Sequence, residues 1–188
     1  MQLFYATEII EGSAFLDENE SGHCIRVLRK KKGDNIKFTD GNGKYYEGII
    51  LQDNPRQCIV KVRGKGEQLY KHKYNLHIAI APTKNIDRFE WFVEKAVEIG
   101  VDSITPLLCH YSERKKIRSD RLGKIIISAM KQSIKAHLPI LNSFCSYEDF
   151  VNAEYSNTVK FIAHLVESER KELIHTIPGS PNYIILIG

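Results

Sequence analysis

The period of the hydrophobic positions changes near residue 64. Before it, apolar residues come in short runs and alternations. Leu3-Phe4-Tyr5-Ala6 reads as an edge strand. Ile36-Lys37-Phe38-Thr39 and Tyr45–Leu51 read as strands. Asp40-Gly41-Asn42-Gly43 joins them as a hairpin turn, because glycine and asparagine tolerate positive φ. Cys58–Val62 alternates and follows the turn-forming Asp53-Asn54-Pro55. Between the first two strands, His23–Arg29 predicts a short helix ended near Gly33. Such a helix would bring Arg26, Arg29 and Lys30 together at spacings of three and four. Several short strands in about 60 residues predict a small barrel. Gly64–Lys73 is polar and breaks the pattern, so it reads as a linker between domains at 1–72 and 73–188.

After the linker the pattern becomes an alternation of strands and helices. Leu76–Ala81 is a strand stopped by Pro82. Over 86–99, Phe89, Phe92, Val93, Ala96 and Val97 fall at helical spacing, and Gly100 is a natural stop. Ser103–Leu108 is a short buried strand. A second amphipathic helix is predicted over 120–137, with Leu122, Ile125, Ile126, Ala129, Met130 and Ser133 on one face. Arg121, Lys124, Lys131 and Lys135 line another. Phe161–Val166 is a third strand, a short helix follows near Glu169–Thr176, and Tyr183–Ile187 is a fourth strand. Strands alternating with helices imply a parallel sheet. Ligands of open α/β sheets bind at the carboxyl ends of strands. The sequence stops at Gly188, directly after an apolar strand. The chain is therefore expected to be incomplete at its C-terminus.

Charge sharpens this picture. The whole chain carries +4, but residues 113–135 alone hold eight Lys and Arg against two acids, a local +6. That concentration is the footprint of a phosphate-binding surface. With 43% hydrophobic and 27% charged residues, the chain can fill a core, which excludes wholesale disorder. No apolar run approaches the roughly 20 residues of a membrane helix, and no signal peptide is visible at the N-terminus. The four cysteines, Cys24, Cys58, Cys109 and Cys145, lie far apart in sequence. No structural zinc spacing exists, no metal is expected, and free thiols fit a cytoplasmic protein.

The usual phosphate cradles, G-x-G-x-x-G and G-x-x-x-x-G-K-[ST], are absent. Other motifs carry a resemblance. His23–Arg29, Gly33-Asp34 and Asp40–Gly43 look like the N-terminal barrel of the bacterial 16S rRNA (uracil-N3)-methyltransferases. Ala81–Arg88 and Glu94–Val101 look like the start of their catalytic domain. Ser112-Glu113-Arg114 and Lys131–Lys135, ending at Leu138-Pro139, are similar to two further motifs of the family. Lys135 stands where the family commonly has arginine, keeping the charge but losing bidentate geometry.

The resemblance implies a two-domain α+β protein: a PUA-like β-barrel, then a knotted SPOUT-type α/β domain that dimerises. It implies methyl transfer from S-adenosylmethionine to N3 of one uridine in 16S rRNA of the small ribosomal subunit. That nitrogen carries a proton, and the base must be exposed. His23, Glu98 and Glu113 are candidate proton acceptors, and none is singled out. The cofactor would rest on backbone at Leu165-Val166-Glu167 and Leu186-Ile187-Gly188. RNA phosphates would meet Arg26, Arg29 and Lys30 in the first half, and Arg114, Lys116, Arg118, Lys124, Lys131 and Lys135 in the second. Trp91, off the core stripe of its helix, suits a partner surface for a homodimer. The alternative class is a non-catalytic rRNA-binding protein that shields RNA during ribosome assembly. A small-molecule enzyme of Rossmann type is disfavoured by the missing glycine fingerprint.

Overall fold

The computed structural model describes residues 2–69, 72–163, 179 and 181–188. The chain divides into two compact units. The first is Met1–Lys71 with Ile127–Leu138, and the second is His72–Ile126 with Pro139–Gly188.

The first unit is built on one sheet of six strands: β1 (Leu3–Tyr5), β2 (Glu8–Ile10), β3 (Ser13–Phe15), β4 (Asn35–Thr39), β5 (Lys44–Asp53) and β6 (Cys58–Gln68). Their order is β1-β4-β5-β6-β3-β2. Only the β1–β4 pair is parallel. Alternate residues Ile36 and Phe38, Ile50, and Cys58 and Val60 turn inward with Phe4, Ala14, Leu16 and Cys24 to make one core. Each buried Phe, Ile, Leu or Val among them contributes about 1.5–3 kcal/mol. The Cys24 and Cys58 thiols meet there by a hydrogen bond, which pushes Cys24 up and Cys58 down from the ordinary thiol value.

One feature of this unit was unforeseen and two expectations change. The hairpin β2–β3 was not legible. Its turn is Glu11-Gly12, with φ of 48° and 76°, the geometry of a two-residue loop but without the usual asparagine. Residues 64–68, read as linker, are strand: Lys44 pairs with Gln68 and Tyr45 with Glu67. Gly66 allows this by lying against the Tyr46 ring, where a Cβ would come within 2.4 Å of Cε1. The second changed expectation is the helix predicted over His23–Arg29. Instead α1 (Glu18–Gly22) is capped by Asp17, whose carboxylate accepts from Glu20 N at 2.8 Å. The chain then widens into a single broad turn over His23–Val27, where Leu28 N donates to His23 O at 3.0 Å. Arg29 follows at φ 55°, so it leaves the helical spacing that would have grouped it with Arg26.

Residues 133–138 complete this unit. Thr39 Oγ1 and Gly43 N both donate to Ala136 O, at 3.1 and 2.9 Å, and Leu138 N donates to Gly41 O at 2.8 Å. The buried Glu20 carboxylate accepts from Tyr5 N at 3.0 Å and pairs with Lys131.

The second unit holds a sheet of parallel strands in the order β10-β8-β7-β12-β11, with β9 paired to β8. These are β7 (Asn75–Ile80), β8 (Ser103–Leu108), β9 (Ile140–Leu141), β10 (Cys145–Ser146), β11 (Thr158–Ala163) and β12 (Asn182–Ile187). Ala79, Leu107, Ile184, Leu186 and Phe150 form its buried cluster. The helix α2 (Ile86–Ile99) has the bounds that its apolar spacing predicts. Asn85 Oδ1 accepts from Asp87 N at 2.9 Å at one end, and Gly100, at φ 118°, closes the other.

The helix α3 (Ser119–Gln132) starts in the second unit and ends in the first. It stops five residues short of the predicted 137. Ser133 Oγ donates back to Ala129 O at 2.7 Å, and Ile134 turns to φ 53°, so Lys135 lies off the helical stripe. The short α4 (Tyr147–Asn152), β9 and β10 were too brief for their period to be legible. The strand β11 begins three residues earlier than expected. Residues 164–166, and the helix predicted near Glu169–Thr176, lie outside the described residues.

Candidate functional site

The second unit concentrates its chemistry at one edge. β7, β8, β11 and β12 are parallel. The last residues of β11, β12 and β7 are in register, Ala163 with Ile187 and Ile187 with Ile80, and Ile80 pairs with Pro106, two residues before the end of β8. Their carboxyl ends therefore share one edge, where α/β sheets bind ligands. At that edge Ile187 O accepts from Ala81 N at 2.9 Å. Leu186 is buried, Ile187 half-buried and Gly188 exposed. Leu165, Val166 and Glu167 lie outside the described residues.

The segments that leave the edge build a cationic pocket of about 400 Å³, lined by Lys84, Glu113, Arg114, Lys115 and Lys116. Lys84 comes just after β7, and the others after β8. The turn leaving β8 is pinned by Ser112, whose hydroxyl accepts from Cys109 N at 3.0 Å. Arg114 reaches across to the β7 side and donates to Thr83 O at 3.3 Å and Lys84 O at 2.7 Å. Its guanidinium thereby holds the two segments together. Lys84 pairs with Glu113 at 2.9 Å. Among the described residues, the exposed Lys115 and Lys116 have no ion-pair partner. A smaller recess beside it includes Arg118 and Arg121. Arg121 is spent on Glu90, with contacts of 2.6 and 2.7 Å, and Arg118 faces Asp120 at 3.7 Å. Lys124 is exposed on α3.

The other proposed phosphate contacts belong to the first unit. Arg26 and Arg29 are exposed, Lys30 is half-buried, and its N–H donates to Cys24 O at 3.1 Å. Lys131 is turned inward to Glu20, the two side chains being 18% and 7% exposed. Lys135 is half-buried beyond the end of α3. Sequence spacing could not separate these lysines, because Glu20 lies 111 residues from Lys131. It also missed Lys84 and Lys115, the first of which lies outside the charged stretch.

The candidate proton acceptors are all engaged. His23 Nε2 lies 3.0 Å from Gln2 Nε2, Glu98 holds Lys95 at 2.9 Å, and Glu113 holds Lys84. Glu98 and Glu113 stand on different elements of the second unit, and His23 belongs to the first. Burial raises the Cys109 and Cys145 thiols, so neither is an activated nucleophile. One network was not foreseen. His77 Nε2 lies 2.6 Å from Thr105 Oγ1, and Asn142 Nδ2 donates to that oxygen at 2.8 Å. It crosses from β7 to β8 within the sheet and is a structural clamp. Among the described residues, no group of three or more His, Cys, Asp or Glu could hold a metal ion.

Residues 70–188 match the family model for an RNA methyltransferase domain, and residues 16–63 match that for an RNA methyltransferase PUA domain. The chain is 30% identical to ribosomal RNA small subunit methyltransferase E of Mesomycoplasma hyopneumoniae, over 100% of this chain and 81% of that protein. It is 23% identical to the protein of the same name from Rickettsia conorii, over 88% of this chain and 66% of that one. Among solved structures, a probable rRNA-methyltransferase from Porphyromonas gingivalis superposes with a TM-score of 0.86 at 38% identity, covering 100% of this chain and 79% of that one. The Neisseria gonorrhoeae ribosomal RNA small subunit methyltransferase E, solved bound to S-adenosyl methionine, shares the fold with a TM-score of 0.79 at 22% identity, over 100% and 80%.

Proposed function

Since the chain belongs to the ribosomal RNA small subunit methyltransferase E family, we propose that it transfers the methyl group of S-adenosylmethionine to N3 of one uridine in 16S rRNA. The observation that carries this reading is the shared edge of the second unit. A cationic pocket and the carboxyl ends of the parallel strands are built from the same chain segments. Methyl transfer to RNA needs an adenosyl site and a phosphate site side by side, so that donor and base are held in line.

The residues at the edge fit such a cofactor. Leu186 and Ile187 would offer it their strand backbone, their side chains lying on opposite faces of the sheet, and Gly188 leaves backbone uncovered by a side chain. With Leu165–Glu167, they are the residues proposed to hold it. Bound there, S-adenosylmethionine supplies an electrophilic methyl on a sulfonium. Lys115 and Lys116 would hold RNA phosphates, while Arg114 fixes the loop that presents them. Positioning is the contribution these side chains make, and the proton acceptor is not assigned among His23, Glu98 and Glu113. In the first unit, Arg26, Arg29 and Lys30 would add phosphate contacts. Lys124 and Arg118 would extend the surface, with Lys135 beyond the end of α3, and Lys131 would act through Glu20 rather than on a phosphate. The reaction belongs in the cytoplasm, where ribosomes are made. A second copy of the chain is the proposed partner for Trp91, which is 63% exposed. The methyltransferase names of the relatives favour catalysis over the RNA-shielding alternative.

The test is methyl transfer from labelled S-adenosylmethionine to small-subunit RNA that lacks the modification, followed by nucleoside mass spectrometry. The expected product is 3-methyluridine. Label on another nucleoside, or none, refutes the assignment.

A further inference from the structure

The first unit has a cavity of a different chemical kind from the cationic pocket. It measures about 510 Å³ and is lined by Gln2, Leu3, His23, Ser128, Lys131 and Gln132. Ligand sites commonly measure about 300–1,000 Å³. Three elements meet around it: the edge strand β1, the first residue of the broad turn, and the last part of α3. Its charge is cancelled at the wall, because Lys131 is paired with the buried Glu20. What remains is two amides, a hydroxyl and an imidazole, of which the Gln2 amide and the His23 ring already meet each other, Nε2 to Nε2, at 3.0 Å. Each of these both donates and accepts hydrogen bonds. Leu3 closes the wall but is only 3% exposed, so it leaves the polar groups as the surface a ligand meets.

A neutral wall of mixed donors and acceptors is poorly matched to a phosphate, which asks for cations. It matches the edge of an unstacked nucleobase, the feature by which single-stranded RNA is read in sequence. We infer that this cavity receives one flipped-out base of the RNA substrate, and that glutamine amides at Gln2 and Gln132 favour adenine. A glutamine amide gives one donor and one acceptor side by side, the pattern that pairs with N7 and N6 of adenine. Arg26 lies three residues after His23 in the same turn and is exposed, so cationic phosphate contact and base contact come from one short segment. The first unit then reads sequence, while the lysines of the second unit grip the backbone. This inference rests on the methyltransferase reading, since it takes the ligand to be RNA.

The test uses the 188-residue protein and short single-stranded RNAs that differ at one position: adenine, cytosine, uracil or abasic. Affinity is measured by fluorescence anisotropy at two salt concentrations. The expected result is about tenfold preference for adenine over the abasic strand. Gln132→Ala should abolish that preference while leaving the salt slope unchanged. Gln132→Glu, which keeps the size but removes the donor, should move the preference toward cytosine. Gln2→Ala, at the second amide, gives the same reading if a Gln132 variant folds poorly, with circular dichroism as the check. Equal affinity for all four strands, or an adenine preference that survives both Gln132→Ala and Gln2→Ala, overturns the inference. Methyl transfer is measured in parallel. A protein that methylates RNA with no base preference at this cavity defeats the inference alone, whereas one that methylates no RNA defeats the reading beneath it.

Discussion

Two lysines of one charged stretch should respond in opposite ways to substitution. Lys131→Met removes the partner of a carboxylate whose side chain is 7% exposed, and among the described residues leaves Glu20 only the Tyr5 N–H at 3.0 Å. Breaking a buried pair at one end costs about 3–5 kcal/mol. Lys131 itself is 18% exposed, so water reaches the site and the lower value, about 3 kcal/mol, is expected. With a urea slope of about 2 kcal/mol/M, the unfolding midpoint of the first unit should fall by roughly 1.5 M. Adding Glu20→Gln removes the orphaned charge, and its amide oxygen still accepts from Tyr5. The double variant should recover to within about 1 kcal/mol of the parent, the signature of a coupled pair. RNA affinity measured against salt should keep its slope in Lys131→Met. The assays are urea unfolding followed by intrinsic fluorescence and a salt titration of RNA binding. A Lys131→Met protein as stable as the parent, or one whose salt slope falls by the amount lost with a phosphate contact, refutes the reasoning.

The other predictions concern the pocket, a turn and the clamp. Lys115→Ala, Lys116→Ala and Lys124→Ala should each lower the salt slope of RNA binding by roughly 0.7–0.9 without changing stability, and unchanged slopes would remove the phosphate surface. Gly43→Ala should destabilise by about 2 kcal/mol or more, because φ is 96° and the added Cβ would stand 2.4 Å from His137 Cε1; urea unfolding reads it. Burial lowers the His77 pKa below the ordinary 6.5, so the folded protein binds this proton less readily than the unfolded chain. The stability from His77 is therefore present above pH 6.5 and lost as the pH falls below it. Unfolding midpoints from pH 8 to pH 5 should decline less steeply in His77→Gln than in the parent, and parallel curves would count against the assignment.

What could be read in advance followed from how local each signal is. The bounds of α2 were legible because its apolar spacing and the Gly100 stop lie close together in sequence. β12 was legible as an uninterrupted apolar run over Tyr183–Ile187, and β8 as a short run rich in apolar residues between Gly100 and the polar loop. The end of α3 was not, since neither glycine nor proline marks it before Pro139, and Ser133 and Ile134 stop it by side-chain and backbone geometry. The tail of β6 was hidden because its residues are polar, and only pairing with β5 makes them strand. The positive stretch at 113–135 includes the loop after β8, but a count of charges could not tell Lys116, open to solvent, from Lys131, folded onto Glu20. Lys84 joins the pocket through the fold alone, being brought from β7 to the loop after β8.

The attachment of residues 127–138 to the first unit bears on the order of events during synthesis. Thr39 Oγ1 and the Gly43 N–H have their acceptor in Ala136, and Glu20 has its cation in Lys131. None of these partners exists when Lys71 leaves the ribosome. At roughly ten residues per second, several seconds pass before they do. During that interval the nascent sheet carries an uncompensated carboxylate and open donors on its flank. The unit placed first in the gene is therefore completed only after much of the second has been made, and a fragment ending at residue 71 would be held permanently at that unfinished stage.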